Sequence, residues 1–129
     1  MATQYNRSTV SRARQRARQR KKLYIGGAYQ GQESLAKQEN PGAEIFSGFH
    51  ETVRNAVLTD RWDPRAFALD FIAAHPDAVV AANEVGAGVV PVEKEERVFR
   101  EAVGRVLCLI AERSETVVRC VCGIGVRIK

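Results

Sequence analysis

Ala78-Val79-Val80-Ala81-Ala82 constrains the fold of this chain more than any other stretch. A continuous apolar run of this length, bounded by His75-Pro76-Asp77 before it and Asn83-Glu84 after it, reads as a parallel strand covered on both faces. Parallel strands are joined by crossovers, so a helix has to lie next to it in sequence. Val92 to Arg113 supplies one. Phe99, Ala102, Val103, Val106, Leu107 and Ile110 fall at helix-face spacing there, and Glu93–Arg97, Glu96–Arg100 and Glu101–Arg105 form i,i+4 pairs on the solvated side. Between run and helix lies Asn83-Glu84-Val85-Gly86-Ala87-Gly88. A polar pair and two glycines beyond a strand's carboxyl end are where open α/β sheets hold ligands. Asn83, Glu84, Gly86 and Gly88 are therefore a candidate ligand loop, with Glu84 a candidate catalytic carboxylate.

A second loop has the same logic. Leu23-Tyr24-Ile25 runs into Gly26-Gly27-Ala28-Tyr29-Gln30-Gly31 and then a helical Gln32-Glu33-Ser34-Leu35-Ala36-Lys37-Gln38-Glu39. Strand, glycine-rich turn and helix is the setting of a phosphate-binding loop, and Gly26-x4-Gly31 has the spacing of the P-loop. Residues Gly26 to Glu33 are the candidate nucleotide-binding set. The lysine of the motif is Gln32 here, and its Mg²⁺-binding hydroxyl is Glu33. Gln32 brings no charge. Glu33 either repels a polyphosphate or serves as a Mg²⁺ ligand, and a tight turn without ligand is the other reading of the glycines.

Ala43 to Phe46 forms a short strand, Phe49 to Leu58 a helix, Thr59 to Trp62 a loop, and Asp63-Pro64 opens a third helix as N-cap and first residue, running to about Ala74. His50, early in its helix, is either an acid/base group or nucleophile, or a plain helix N-terminal residue. His75, ahead of Pro76, reads as structural. The last strand is taken as Val117 to Ile124, which by alternation puts Cys120 and Cys122 on one side. The element order gives an α/β, three-layer fold with a small, mostly parallel sheet of about four strands flanked by helices.

Charge divides the chain into two segments. Residues 1–22 hold eight of the twenty basic residues and no acid, leaving twelve against fifteen, or −3, in the remainder. Residues 1–21 read as a basic disordered tail and 22–129 as one domain. A solvated extension, a polyanion-binding arm and an organellar targeting peptide remain open for the tail. No run reaches the length of a membrane span, and a cytoplasmic protein is expected. Three cysteines in apolar surroundings read as reduced and buried.

Asn83-Glu84-Val85-Gly86-Ala87-Gly88-Val89-Val90-Pro91, Arg97 to Val106 and Val117 to Lys129 occur in an order and spacing that resemble the C-terminal half of the bifunctional adenosylcobinamide kinase/adenosylcobinamide-phosphate guanylyltransferase family. Leu23 to Ala36 sits where that family has its P-loop, keeping Gly26, Gly27, Ala28 and Gly31. The resemblance implies a P-loop fold, a homotrimer, GTP or ATP with Mg²⁺ as cofactor, corrinoid substrates and a place in cobalamin biosynthesis or salvage, with guanylyl transfer through a histidine. Gln32 and Glu33 depart from the family's Lys-Ser/Thr, which weakens the kinase step most. The segment that holds the family's guanylylated histidine is missing, and His50 lies elsewhere. The chain is expected to act as a shortened member with Glu33 or Glu84 toward Mg²⁺, or as a non-catalytic nucleotide- or corrinoid-binding paralogue.

Overall fold

The computed structural model describes residues 21–57, 62–85 and 91–129. Residues 1–20, the Thr59–Arg61 part of the expected loop, and Gly86 and Gly88 lie outside the described residues. The elements run β1 (Lys22–Gly26), α1 (Gln32–Glu39), β2 (Ile45–Phe46), α2 (Phe49–Val57), α3 (Pro64–Ala74), β3 (Val79–Asn83), α4 (Lys94–Arg113), β4 (Thr116–Val121) and β5 (Ile124–Arg127).

They build one sheet of five strands in the order β2-β3-β1-β4-β5. β1 pairs in parallel with both β3 and β4, β2 pairs in parallel with β3, and β5 returns antiparallel along β4. The apolar run is thus a central strand, with Val79 to Ala82 all buried. The expected single last strand is a hairpin instead. Cys122 and Gly123 both take left-handed φ values, 51° and 78°, and turn the chain back after Val121. That fifth strand corrects the expected four. It also corrects the cysteines: Cys120 is buried, whereas Cys122 sits exposed in the turn and Cys108 is exposed on α4.

Alternation in the strands sorts the core into two faces. Leu23, Val80, Ala82 and Val117 face Phe49 and Val53 of α2, Ala68 of α3 and the Phe99-to-Ile110 stripe of α4. Tyr24, Val79, Ala81, Val118 and Cys120 face the other way, toward Ala36 and Leu35 of α1. One short helix covers one face and three cover the other, the three-layer arrangement expected. The caps are local. The Asp63 side chain accepts from Arg65 N at 3.1 Å and Pro64 takes the first turn of α3. Lys129 Nζ donates at 2.9 Å to Ala111 O and Glu112 O at the end of α4, a cation at the negative end of the helix dipole.

Charged side chains of α4 also bond outside their own helix. Glu96 bonds Arg54 of α2 at 2.8 Å, and Arg97 Nη1 donates to Pro91 O and Val92 O at 3.2 and 2.6 Å. Of the three expected i,i+4 pairs, Glu101–Arg105 forms as an ion pair, at 2.7 Å.

Candidate functional site

β1 ends between β3 and β4, and its connection crosses to the α1 face while that of β3 crosses to the α4 face. A crevice forms at such a switch in open α/β sheets. Here it is a cleft of about 370 Å³ lined by Ala28, Tyr29, Gly31, Gln32, Glu33, Ser34, Gly48, His50, Ala81, Ala82 and Asn83.

The glycine loop forms one wall. A β-carbon on Gly26 would stand 2.7 Å from Cys120 O, so only glycine allows β1 and β4 to meet there. Gly31 caps α1 at φ 89° and ψ 15°, a conformation glycine adopts without a side-chain clash. The N–H groups of Ala28, Tyr29, Gly31 and Gln32 donate no hydrogen bond to another described residue. Unpaired loop amides leading into a helix N-terminus are an anion-binding arrangement.

Gln32 does not reach over this wall as a P-loop lysine would. It is buried, and Nε2 lies 2.6 Å from Asn83 Oδ1, 3.1 Å from Gly27 O, and 3.5 Å from both Gly26 O and Ala82 O. The amide ties the ends of β1 and β3 to α1. Oε1 points into the interior with no partner. Asn83, expected in a ligand loop, is therefore the last residue of β3 and the knot of this network.

His50 forms the opposite wall. Its Nδ1 accepts the Asn83 N–H at 3.1 Å. That bond places the imidazole proton on Nε2, which lies 3.7 Å from Glu51 Oε1. Burial pushes the pKa of His50 below its ordinary value, with Glu51 raising it and Arg54 lowering it by smaller amounts. The ring is a neutral hydrogen-bond donor at the cleft. For Nε2 to act as a nucleophile, the proton has to move to Nδ1 and the Asn83 bond has to break.

Glu33 is committed elsewhere. Its carboxylate takes Lys37 Nζ at 2.9 Å, and the bonds from Lys37 and Ser47 hold its pKa below the usual carboxylate value. A cation at Glu33 would have to compete with Lys37 for this exposed carboxylate. Among the described residues no group of three or more His, Cys, Asp or Glu gathers as a metal site.

Glu84 lies apart from His50. Its N–H donates to Gly26 O at 2.8 Å, its side chain faces Arg119 at 3.8 Å, and it borders a separate apolar hollow of about 260 Å³ on the α4 side. The structure thus brings together Gly31, Gln32, Glu33, His50 and Asn83, and leaves Glu84 outside. Sequence reasoning did not find Arg119, or the contact of the β4–β5 turn with the loop. The Cys122-Gly123 pair was the available signal for that turn.

The profile of the cobinamide kinase / cobinamide phosphate guanyltransferase family matches residues 49–128. The chain belongs to this family. The match runs from the start of α2 through β5, taking in His50 and Asn83, while β1, the glycine loop and α1 precede it. Membership supports a cobalamin-biosynthesis role with transferase ancestry, with nucleotide and cobinamide as the substrates the family implies. A search of curated proteins finds none that matches the chain. Among the described residues no helix is long and apolar enough to cross a membrane.

Proposed function

We propose that this family member binds the phosphate groups of a nucleotide, or of a phosphorylated corrinoid, between the glycine loop and His50, and that these residues neither phosphorylate nor guanylylate the corrinoid. Loop amides and the α1 N-terminus receive the phosphate oxygens, and the Nε2–H of His50 donates from the other side. The observation that carries this reading is Gln32, whose Nε2 is turned away among four oxygens at 2.6 to 3.5 Å. Phosphoryl transfer relies on positive charge placed at the moving phosphate, and neither loop nor His50 wall supplies it. The His50 tautomer favours the same reading, because Nδ1 is occupied by a donor.

In this reading the protein works in cobalamin biosynthesis as a binding or regulatory relative of the transferases. Calorimetric titration with GTP, ATP and cobinamide phosphate tests it, with and without Mg²⁺, in the wild type and in the double change Gln32→Lys, Glu33→Ser. Wild type is expected to bind at least one of the three, and the double change to tighten nucleotide binding. No heat with any of the three would sink the proposal.

A further inference from the structure

Tyr29 borders the cleft, yet phosphate binding makes no use of its ring. Its side chain is fully exposed at 103% of its reference area. Its backbone is left-handed at φ 62°, a region that bulky residues rarely occupy. The neighbours hold it there. Gln30 O accepts the Gly123 N–H at 2.8 Å, Gln30 Oε1 accepts the Cys122 N–H at 2.6 Å, and Gln30 Nε2 donates to Ala28 O at 3.3 Å. These three bonds bracket Tyr29 between fixed residues. Gly31 closes the far side, with Gly123 Cα 3.3 Å from where its β-carbon would stand. The ring stands clear of the packed core, so what sets Tyr29 apart is its left-handed backbone. Conformations of this kind persist where surrounding contacts over-determine them, which happens most at ligand sites.

We infer that Tyr29 is a stacking platform for the planar base of a nucleoside 5′-phosphate whose phosphates lie on the loop amides; the inference rests on the proposed phosphate site. The β4–β5 turn, through Gln30, is the brace that keeps the platform raised. Aromatic faces accept any base, so Tyr29 selects for a base being present and leaves its identity open.

Calorimetry with two probes, GTP and inorganic tripolyphosphate, separates the base from the phosphates. Tyr29→Ala is expected to weaken GTP about tenfold and to leave tripolyphosphate unchanged, while Tyr29→Phe stays within about twofold of wild type for both. Gln30→Ala keeps the ring and the backbone bond from Gly123 but removes the two side-chain bonds of the brace, and is expected to weaken GTP in the same direction. Unchanged GTP affinity in Tyr29→Ala overturns the platform. If GTP and tripolyphosphate weaken equally in Tyr29→Ala, the ring serves the loop's shape and not the base, which also overturns it. Wild type that binds GTP but not tripolyphosphate, with Tyr29→Ala losing GTP, supports the platform and refutes the phosphate site. Wild type that binds neither overturns the platform and removes nucleotide from the proposed phosphate site.

Discussion

Gln32→Glu replaces one NH₂ group by an oxygen and inverts the chemistry at the knot of the cleft. The amide nitrogen sits 2.6 Å from Asn83 Oδ1, 3.1 Å from Gly27 O and 3.5 Å from Gly26 O and Ala82 O, and all four are acceptors. A carboxylate oxygen in that place meets no donor. Losing the two short bonds costs about 1 kcal/mol each. Holding a desolvated carboxylate against acceptor oxygens adds about 1–2 kcal/mol. Oε1 is already without a partner, so the substitution breaks no bond there. The total is about 3–4 kcal/mol near neutral pH, a fall of about 2 M in the urea midpoint for a chain of this size.

Protonation returns one donor, so the new carboxyl's folded-state pKa lies above its unfolded value. The loss is therefore small below the unfolded carboxyl value of about 4.3 and grows as pH rises. Gln32→Lys is the control, because an ammonium offers three donors to the same oxygens. Urea unfolding of wild type, Gln32→Glu and Gln32→Lys at pH 4.5 and pH 7.5 reads the difference. Gln32→Glu within about 1 kcal/mol of wild type at the higher pH, or a loss that does not change with pH, would refute the placement of Nε2 among those oxygens.

Other perturbations follow from the same structure. Burial depresses the pKa of His50, so its neutral-ring bond with Asn83 stabilises the fold above the unfolded value of about 6.5 and is lost as pH falls; melting curves from pH 7.5 to 5.5 should show the drop, and His50→Gln should flatten it. Arg54 joins α2 to α4 through Glu96 at 2.8 Å, with its guanidinium 3.8 Å from the Phe99 ring centre. In thermal unfolding Arg54→Ala should cost about 1–2 kcal/mol and Arg54→Lys about half of that. Gly26→Ala forces a methyl group to 2.7 Å from Cys120 O and should cost about 1–3 kcal/mol in denaturant unfolding.

What the sequence disclosed was whatever depends on near neighbours. Asp63-Pro64 states its cap in two adjacent residues, the Phe99-to-Ile110 stripe repeats at helix spacing, and Val79 to Ala82 can only be a covered strand. The break in the last strand was harder to read, because it rests on a left-handed Cys122, and only the glycine after it hinted at a turn. Side-chain partners far apart in sequence were not legible at all. Gln32 ends against Asn83, 51 residues away, and Glu96 bonds Arg54, 42 residues away. The glycine loop suggested an anion site from local pattern, and Gln32 in the lysine's place showed that it lacks the charge. What stayed hidden was that the Gln32 amide turns to Asn83.

In the reading proposed for this cleft, the Gln32-tied loop holds phosphate without transferring it. The most direct measurement incubates the protein with GTP labelled at the α- or the γ-phosphate, together with Mg²⁺ and cobinamide or cobinamide phosphate. Bound nucleotide is followed by equilibrium dialysis, and label is followed in corrinoid and in protein. Retained GTP is expected, with neither label moving to corrinoid or to His50. The γ-label appearing on cobinamide, or guanylyl on cobinamide phosphate or His50, would contradict it.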